Sequence, residues 1–321
     1  MFGYLVRRLL WAAVLFLAVT VVTYIIFFTI PTDPARLACG QRASQTCVRE
    51  AAQFLGTDKP VYVQYVRFLD RLVVHRSLGR SFVRRRPVNE EVLGAAPVTA
   101  SLVFGGMALW LLIAVPVGVL SAVRPRSLLD RLTMVGVLIG ISAHPVWIGL
   151  LAAYFLGFKL NLFPISGYCG LIHPSGSCGG PVQWAYHLFL PWATLAVLYA
   201  AIYVRMIRAN VMEAMNEDYV RTARAKGASE WRVLRAHVMR TALLPTVTML
   251  GMDVGLALAG AIFIESVYGL NGLGKLALQG VNTIDLPTTE GVVVFATLAI
   301  LFFTLVVDCL YAWIDPRIRL T

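Results

Sequence analysis

Residues 217–231 read Glu-Asp-Tyr-Val-Arg-Thr-Ala-Arg-Ala-Lys-Gly-Ala-Ser-Glu-Trp, a polar segment between two stretches that are apolar enough to enter lipid. From Arg205 to Arg240 the sequence contains eight Lys or Arg residues and no long apolar run. The segment therefore predicts a water-exposed, positively charged connection between two membrane-spanning helices.

The residue types in this connection favour helices over an irregular loop. Ala, Arg, Glu and Lys are good helix formers, and typical turn residues are scarce apart from one glycine. We predict two short helices, over about 212–225 and 229–240, with the break at Gly227. Gly227 is predicted to take a positive φ, since Gly is favoured just past a helix end, and Ser229 is predicted to cap the second helix.

The composition predicts an integral membrane protein. Hydrophobic residues make up 58% of the 321 residues and charged residues 14%, whereas soluble domains carry roughly 25% charged residues. A helix needs ~20 apolar residues to cross the ~30 Å hydrocarbon core, and continuous apolar runs argue against the alternating strands of a barrel. We predict an all-α fold with six transmembrane helices, at about 9–30, 98–122, 132–158, 188–210, 242–264 and 289–311.

The distribution of Lys and Arg predicts the orientation in the membrane. The loops 123–131 and 205–240 are rich in Lys and Arg, whereas the loops 159–187 and 266–288 hold one each. Because cytoplasmic loops carry the excess of positive charge, both termini and the basic connection are predicted to be cytoplasmic. The segment 31–97 carries eleven Lys or Arg on the opposite side, but it exceeds the ~60 residues over which this rule is reliable. Membrane anchoring accounts for the net charge of +11, so no nucleic-acid partner is expected.

The predicted spans divide the chain into two parts. Residues 1–97 are predicted to form an N-terminal transmembrane helix with an external segment, and residues 98–321 a five-helix core that contains the loop 211–240. Within the external segment, one helical face of residues 61–74 carries Val61, Tyr65, Phe68, Leu69 and Leu72. This pattern predicts an amphipathic helix that lies on the membrane surface or packs on the helix bundle.

Four of the five cysteines form two close pairs in the segments predicted to be external. Such pairs on the oxidising side of a membrane predict the disulfides Cys39–Cys47 and Cys169–Cys178, with free thiols as the alternative. Four cysteines allow three pairings, which the sequence leaves open. Metal binding is disfavoured, because the spacing does not match a zinc site and only His173 lies close.

Three acidic residues lie in or near the predicted spans, where an unpaired charge is costly. Asp253 is the most central, and two interpretations remain open for it: a pathway residue that meets a cationic group, or a residue paired within the bundle. Glu265 and Asp308 lie nearer to span ends, where structural pairing is favoured. The span of Asp253 also carries a stripe of small residues that permits close helix contact, formed by Gly251, Gly255 and Ala259.

Residues 269–276, Gly-Leu-Asn-Gly-Leu-Gly-Lys-Leu, nearly match the phosphate-binding loop of nucleotide-binding proteins. Leu276 replaces the Ser or Thr whose hydroxyl would hold Mg²⁺, and the segment is predicted to be external. The sequence contains no metalloprotease or serine-hydrolase motif, and His144 in the third span is expected to be a hydrogen-bonded helix residue. We therefore expect neither catalytic residues nor a bound cofactor or metal in this chain.

Residues 218–227, Asp-Tyr-Val-Arg-Thr-Ala-Arg-Ala-Lys-Gly, resemble the coupling segment of the dipeptide and oligopeptide permeases of ATP-binding-cassette importers. Similarity to that family continues along nearly the whole chain, at residues 4–10, 55–65, 78–82, 272–274 and 307–317. The chain departs from the general importer motif, Glu-Ala-Ala followed by Gly, a change that the peptide branch tolerates. The residues at those positions are Arg221, Thr222 and Ala223, and Asn271 stands where the family often has Pro.

The resemblance implies the first of two paired permease subunits, with six transmembrane helices, in a bacterial cytoplasmic membrane. The implied partners are a second homologous permease, two cytoplasmic ATPases that hold ATP and Mg, an external substrate-binding protein and the membrane lipid. The ATPases would drive alternating access to a pathway for dipeptides or oligopeptides. The residues implied to contact an ATPase are Glu217, Tyr219, Arg221, Thr222, Ala223, Arg224, Ala225, Lys226, Gly227, Ala228 and Ser229.

Two alternatives remain. The same architecture could import nickel, haem or another small solute, which the sequence separates poorly from peptides. An ion-coupled transporter or an intramembrane enzyme would require paired buried carboxylates or a catalytic cluster, and the sequence pattern indicates neither.

Overall fold

The computed structural model describes residues 2–26, 33, 35–36, 39, 44–55, 60–81, 83–171, 178–258 and 261–314. Helices account for nearly all of the regular structure in these ranges. Pairing of the β type is limited there to two isolated bridges, Arg80–Pro87 and Gly170–Gly179. The prediction of an all-α fold is confirmed.

The helices of the described chain are named in order. They are α1 Phe2–Tyr24, α2 Gln45–Leu55, α3 Val61–Val73, α4 Val88–Val123, α5 Leu128–Ser142, α6 Pro145–Ala152, α7 Pro181–Met215, α8 Asp218–Ala225, α9 Glu230–Arg232, α10 Met239–Ala242, α11 Leu244–Leu258, α12 Ile262–Val267, α13 Leu273–Thr283 and α14 Leu286–Ile314. Two π-helical turns continue α6 and α9, at Ala153–Lys159 and Val233–Val238.

Four of these helices have the length and apolar composition of a membrane span, and two bent pairs bring the number to six if each pair counts as one span. The single helices are α4, α7, Val6–Tyr24 of α1 and Leu286–Val307 of α14. The bent pairs are Leu128–Ser142 with Pro145–Lys159, and Glu230–Ala242 with Leu244–Leu258. Each of the six predicted stretches overlaps one of these, so the predicted order of spans agrees with the structure.

The third predicted span, 132–158, is wrong as a single straight helix. The chain breaks before Pro145 and bends by 104°, because proline lacks an N–H and disfavours a helical conformation at the preceding residue. That residue is His144, with ψ of 137°. Its Nδ1 accepts a hydrogen bond from the Val146 N–H at 3.3 Å, so His144 caps α6 instead of lying inside a helix.

Helices α4 and α7 pack together along the centre of the fold. Trp110, Tyr203 and Ile207 at their contact are fully buried. Pro116 and Pro191 lie inside these two helices without ending them. The 35 residues of α7 correspond to a helix about 52 Å long, which exceeds the thickness of the hydrocarbon core. The C-terminal end of α7 therefore extends beyond the hydrocarbon core, toward the basic connection.

The stripe of small residues on α11 was predicted to permit close helix contact. Its two members that the structure describes, Gly251 and Gly255, contact α14 closely. A Cβ on Gly251 would overlap the Val307 side chain, and a Cβ on Gly255 would lie 3.2 Å from the Ile300 Cα. Ala259, the third member, lies outside the described residues. The two helices approach closely because the glycines leave room for α14.

Helix α3 of the external segment packs on the bundle. Phe68 is buried, and the Tyr24 ring at the end of α1 lies 5.5 Å from the Tyr65 ring and 5.6 Å from the Phe68 ring. Val61 was predicted on the apolar face but is 46% exposed, because the contact with α1 begins one turn later. Of the two predicted placements for this amphipathic helix, the structure has the packed one.

Candidate functional site

The basic connection starts later than predicted. Helix α7 continues to Met215 and α8 begins at Asp218, so the predicted helix over 212–225 is wrong and is divided at Asn216. The Asn216 Nδ2 donates a hydrogen bond to the Met212 carbonyl at 3.0 Å. An asparagine side chain that competes for backbone groups in this way disfavours continuation of the helix.

Helix α8 ends in a Schellman motif at Gly227. The Ala228 N–H donates to the Ala223 carbonyl at 3.2 Å, and the Gly227 N–H donates to the Arg224 carbonyl at 2.9 Å. Gly227 has φ of +81°, so the predicted left-handed conformation is confirmed. A Cβ at this position would meet no atom within 4 Å, which means that the need for glycine comes from the backbone and not from crowding.

The second helix of the connection begins where predicted, but it is held differently. Ser229 occupies the N-cap position with ψ of 147°, and its side chain makes no capping hydrogen bond. The connection is instead closed by Arg224, whose Nε and Nη2 donate to the two carboxylate oxygens of Glu230 at 2.9 and 3.0 Å. This bidentate pair joins α8 to α9 across the Gly227 turn.

The inner face of the connection packs against the helix bundle, and its outer face is exposed. Val220, Ala223, Val233 and Val238 are buried in the same core as α4 and α7. Tyr219 and Trp231 are 40% and 70% exposed, although both are large aromatic side chains. Burial of the inner face fixes the position of α8 on the bundle and leaves its outer face available for contact.

The residues implied to contact an ATPase divide between these faces. Ala223 is buried, so it seats α8 on the bundle, and Arg224 and Ala228 are half-buried. The exposed members are Glu217, Tyr219, Arg221, Thr222, Ala225, Lys226, Gly227 and Ser229.

Asp253 on α11 lies beside an aromatic cluster of α4 and α7. Its Oδ2 accepts a hydrogen bond from the Tyr203 hydroxyl at 2.7 Å. The Trp110 ring stacks on the Tyr199 ring at 4.6 Å and lies 6.0 Å from the Tyr203 ring. In the described part of the chain, no Lys, Arg or His forms an ion pair with Asp253. The bond to Tyr203 is a contact within the bundle, and the pathway interpretation stays a prediction.

Sequence reasoning missed an ion pair between the buried Asp130 and the half-buried Arg208. The Arg208 Nε and Nη2 donate to the two carboxylate oxygens of Asp130 at 2.6 and 2.9 Å. The Ser121 hydroxyl and the Arg126 N–H also donate to this carboxylate. The Asp130 N–H donates to the Ser127 hydroxyl, and this Ser-x-x-Asp cap at the start of α5 was the available signal. The network joins the α4–α5 turn to α7, seven residues before α7 ends.

The segment that resembles a phosphate-binding loop is occupied by the chain's own carboxylate. Glu265, fully buried, accepts from the Lys275 N–H at 2.8 Å and from the Thr99 hydroxyl at 2.6 Å. A Cβ on Gly272 would overlap this carboxylate. Glu265 thus fills the N-terminus of α13, where a phosphate would bind, and its predicted structural pairing is confirmed. The side chain of Asp308 lies outside the described part of the chain.

Two further buried carboxylates were also missed, at the start of α14. The Asp285 Oδ2 accepts from the Ser81 hydroxyl at 2.6 Å and from the Thr288 hydroxyl at 2.7 Å. Glu290, one turn further on, is 5% exposed. The Asp285–Ser81 contact ties the external segment to the last span.

Both predicted cysteine pairs are joined in the structure. The Cα atoms lie 6.1 Å apart in Cys39–Cys47 and 5.2 Å apart in Cys169–Cys178. The His187 Nδ1 lies 3.3 Å from the Cys169 Sγ and 2.9 Å from the Gln183 carbonyl. An Nδ1 proton that is donated to this carbonyl leaves Nδ1 without a free lone pair for a metal, and the disulfide likewise removes the thiolates. His173 lies outside the described residues.

Comparisons with known proteins agree along the whole chain. Residues 114–320 match the family described as binding-protein-dependent transport system inner membrane component, and residues 1–103 match the N-terminal region described for the same systems. The probable D,D-dipeptide transport system permease protein DdpB of Escherichia coli strain K12 is 38% identical, over 99% of this chain and 98% of the relative. The dipeptide transport system permease protein DppB of the same strain is 33% identical, over 99% of each chain.

A solved structure has the same fold over the core of the chain. An inward-facing conformation of the MetNI methionine ABC transporter superposes with a TM-score of 0.55, over 70% of this chain and 96% of that one. The two sequences are 19% identical, so this likeness concerns the fold alone.

Proposed function

This chain belongs to the family of binding-protein-dependent transport system inner membrane components, and we propose that it translocates dipeptides or oligopeptides as one permease of an ATP-driven importer. It is a multi-pass permease of the inner membrane, and its relatives are transport proteins rather than enzymes. The peptide substrate is supported by the names of two relatives that align with the chain from end to end.

The arrangement of α8 supports the proposal that the energy for transport comes from ATP hydrolysis by a separate subunit. Val220 and Ala223 anchor α8 in the core that contains α7, while Tyr219, Arg221 and Lys226 remain exposed. A helix seated in this way moves together with the spans beneath it, because packed interiors shift as units and do not deform smoothly. An ATPase that pushes on the outer face would therefore move α7.

Membership of this family supports the remaining partners of the proposal. Two cytoplasmic ATPases hold ATP and Mg, a second homologous permease completes the pathway, and an external binding protein delivers the peptide. Both termini and the α8–α9 surface are cytoplasmic. ATP binding opens the pathway outward to receive peptide, and hydrolysis resets it.

Import of nickel or haem finds less support from the described residues. The group of Cys, His and carboxylate side chains close enough to hold a metal in that part of the chain is Cys169, Cys178 and His187. Its two cysteines are joined to each other, so the group offers no thiolate ligand.

Reconstitution tests the proposal. The chain is purified from native membranes with its bound subunits, which are identified by mass, and the complex is placed in proteoliposomes with the external binding protein. We expect uptake of labelled dipeptide that requires ATP on the α8 side, and no ATP hydrolysis by the chain alone. Robust hydrolysis by the isolated chain, or uptake of nickel in place of peptide, would overturn the proposal.

A further inference from the structure

We propose that Asp253, held in place by Tyr203, forms a subsite on the translocation pathway that receives the ammonium group of a transported peptide. The inference rests on the proposed function, since it names the part of the peptide that this surface recognises.

The carboxylate of Asp253 is held in a fixed orientation. The Tyr203 hydroxyl donates to Oδ2 at 2.7 Å, and Tyr203 is itself fully buried. Behind Tyr203 the fully buried Trp110 stacks on Tyr199 with an interplanar angle of 21°. Tyr203 therefore fixes the Asp253 carboxylate, and the Trp110 ring packs against both Tyr203 and Tyr199.

Asp253 has fewer stabilising partners than Asp130 or Glu265. Asp130 has Arg208 as an ion-pair partner, and Glu265 accepts from both Thr99 and the Lys275 N–H. Asp253 has one neutral donor, and within the described ranges no cation pairs with it. It lies nine residues after Leu244 at the start of α11, about 13 Å along the helix axis. A carboxylate near the middle of a span requires a cation or water that the described chain does not supply.

The carboxylate is also accessible from one side. Asp253 and Tyr199 are half-buried, and their neighbours Met252 and Leu256 are exposed. Exposure of a carboxylate to lipid is unfavourable, so the open side of Asp253 faces an aqueous path or another protein chain. A partly exposed carboxylate that is held by a hydroxyl donor is a suitable receptor for an ammonium ion, which gains a charge-assisted hydrogen bond.

Recognition of the terminal ammonium group is appropriate for a pathway that accepts peptides of different sequence. Every unmodified peptide carries one, whatever its side chains, so a single fixed acid serves peptides of different sequence. The competing source of positive charge is a Lys or Arg of the second permease, and the experiment separates the two.

The test compares peptides with free and N-acetylated amino termini in the reconstituted complex. The maximal uptake rate of Asp253→Asn is divided by that of the wild type for the same peptide, so that the preference of the binding protein cancels. We expect the ratio to fall about tenfold for free peptides, the scale of one charge-assisted hydrogen bond, and to stay near one for acetylated peptides. Tyr203→Phe should shift the ratio in the same direction by less. Glu50→Gln, in the exposed part of α2, is the control.

Thiol labelling provides a second measurement. It tests the ammonium subsite even if the wild type does not transport acetylated peptides. Asp253→Cys in a Cys309→Ser chain is treated with a cationic methanethiosulfonate in the assembled complex. We expect modification that is slowed by transported free peptide, and no such protection at Met252→Cys. Full resistance of Asp253→Cys in the nucleotide-free and ATP-bound complexes would overturn the inference, because the site would then be closed to solutes.

Each failure has its own pattern. If wild-type vesicles carry no peptide at all, the proposed function fails. If they carry peptide and Asp253→Asn matches the wild type for both peptides, only the ammonium subsite is wrong. If Asp253→Asn reduces copurification of the second permease and lowers both uptake rates equally, the cation belongs to that partner and the subsite is again wrong.

Discussion

Arg208 binds Asp130 through two hydrogen bonds, at 2.6 and 2.9 Å, although the residues are 78 positions apart in the sequence. Asp130 lies in the first turn of α5, and Arg208 lies near the C-terminal end of α7, the helix that leads into α8. The pair therefore connects a second membrane helix to the surface proposed to meet the ATPase.

Asp130→Ala should destabilise the chain by about 1–3 kcal/mol, because it leaves the half-buried Arg208 guanidinium and the buried Ser121 hydroxyl without their acceptor. Thermal unfolding of the purified protein in detergent measures the loss. Arg205→Ala is the matched control, since Arg205 is exposed on the same helix. The double variant Asp130→Ala/Arg208→Ala should lose less than the sum of the single variants. Additive losses would show that the two side chains do not depend on each other.

Gly227→Val should uncouple ATP hydrolysis from uptake, or release the ATPase, without unfolding the spans. A non-Gly residue at positive φ costs about 1–2 kcal/mol, and a β-branched one is the worst choice. Relief of that strain would misdirect α9 relative to α8. Peptide uptake, ATPase activity in liposomes and copurification of the ATPase are measured together.

Two variants sharpen this test of Gly227. Gly167→Val is the matched control, because Gly167 has φ of +101° and a Cβ added there would meet no atom within 4 Å. The residue lies in the loop between α6 and α7, which is predicted to be external. Gly227→Asn should retain more activity than Gly227→Val, since Asn tolerates the left-handed region. Normal uptake by Gly227→Val would remove α8 and its turn from the coupling mechanism.

Glu265→Ala should lower stability by about 1–3 kcal/mol, the range for leaving a buried hydrogen-bond partner unsatisfied. The loss arises because the Lys275 N–H and the Thr99 hydroxyl both donate to this carboxylate. Denaturant titration in detergent checks it, with Asn282→Ala on the exposed face of α13 as the control. If Glu265→Ala instead unfolds at the wild-type midpoint, the carboxylate is not what orders the start of α13.

Non-reducing peptide mapping should recover Cys39 linked to Cys47 and Cys169 linked to Cys178. Each closes a short ring, and the loss of unfolded-state entropy should contribute about 2–3 kcal/mol. Cys309, which is exposed, serves as the internal control that reacts with alkylating reagents. Reaction of all four other cysteines in native membranes, without reductant, would contradict both pairs.

The sequence by itself determined the features that depend on short windows. The six apolar stretches and the left-handed Gly227 follow from hydrophobic run length and local backbone preference. The breaks before Pro145 and at Asn216 were also local, and they were missed because long apolar or helix-forming runs were extended through a residue that interrupts them.

Only the tertiary structure decided which distant side chains meet. Asp253 with Tyr203, Glu265 with Thr99 and Asp130 with Arg208 are separated by 50, 166 and 78 positions. Such pairs depend on how each helix is rotated and displaced against its neighbours, and that arrangement minimises a sum over all the packing contacts of the bundle. A sequence pattern shows which face of a helix is apolar, but the helix that packs against this face is determined only when the helices assemble.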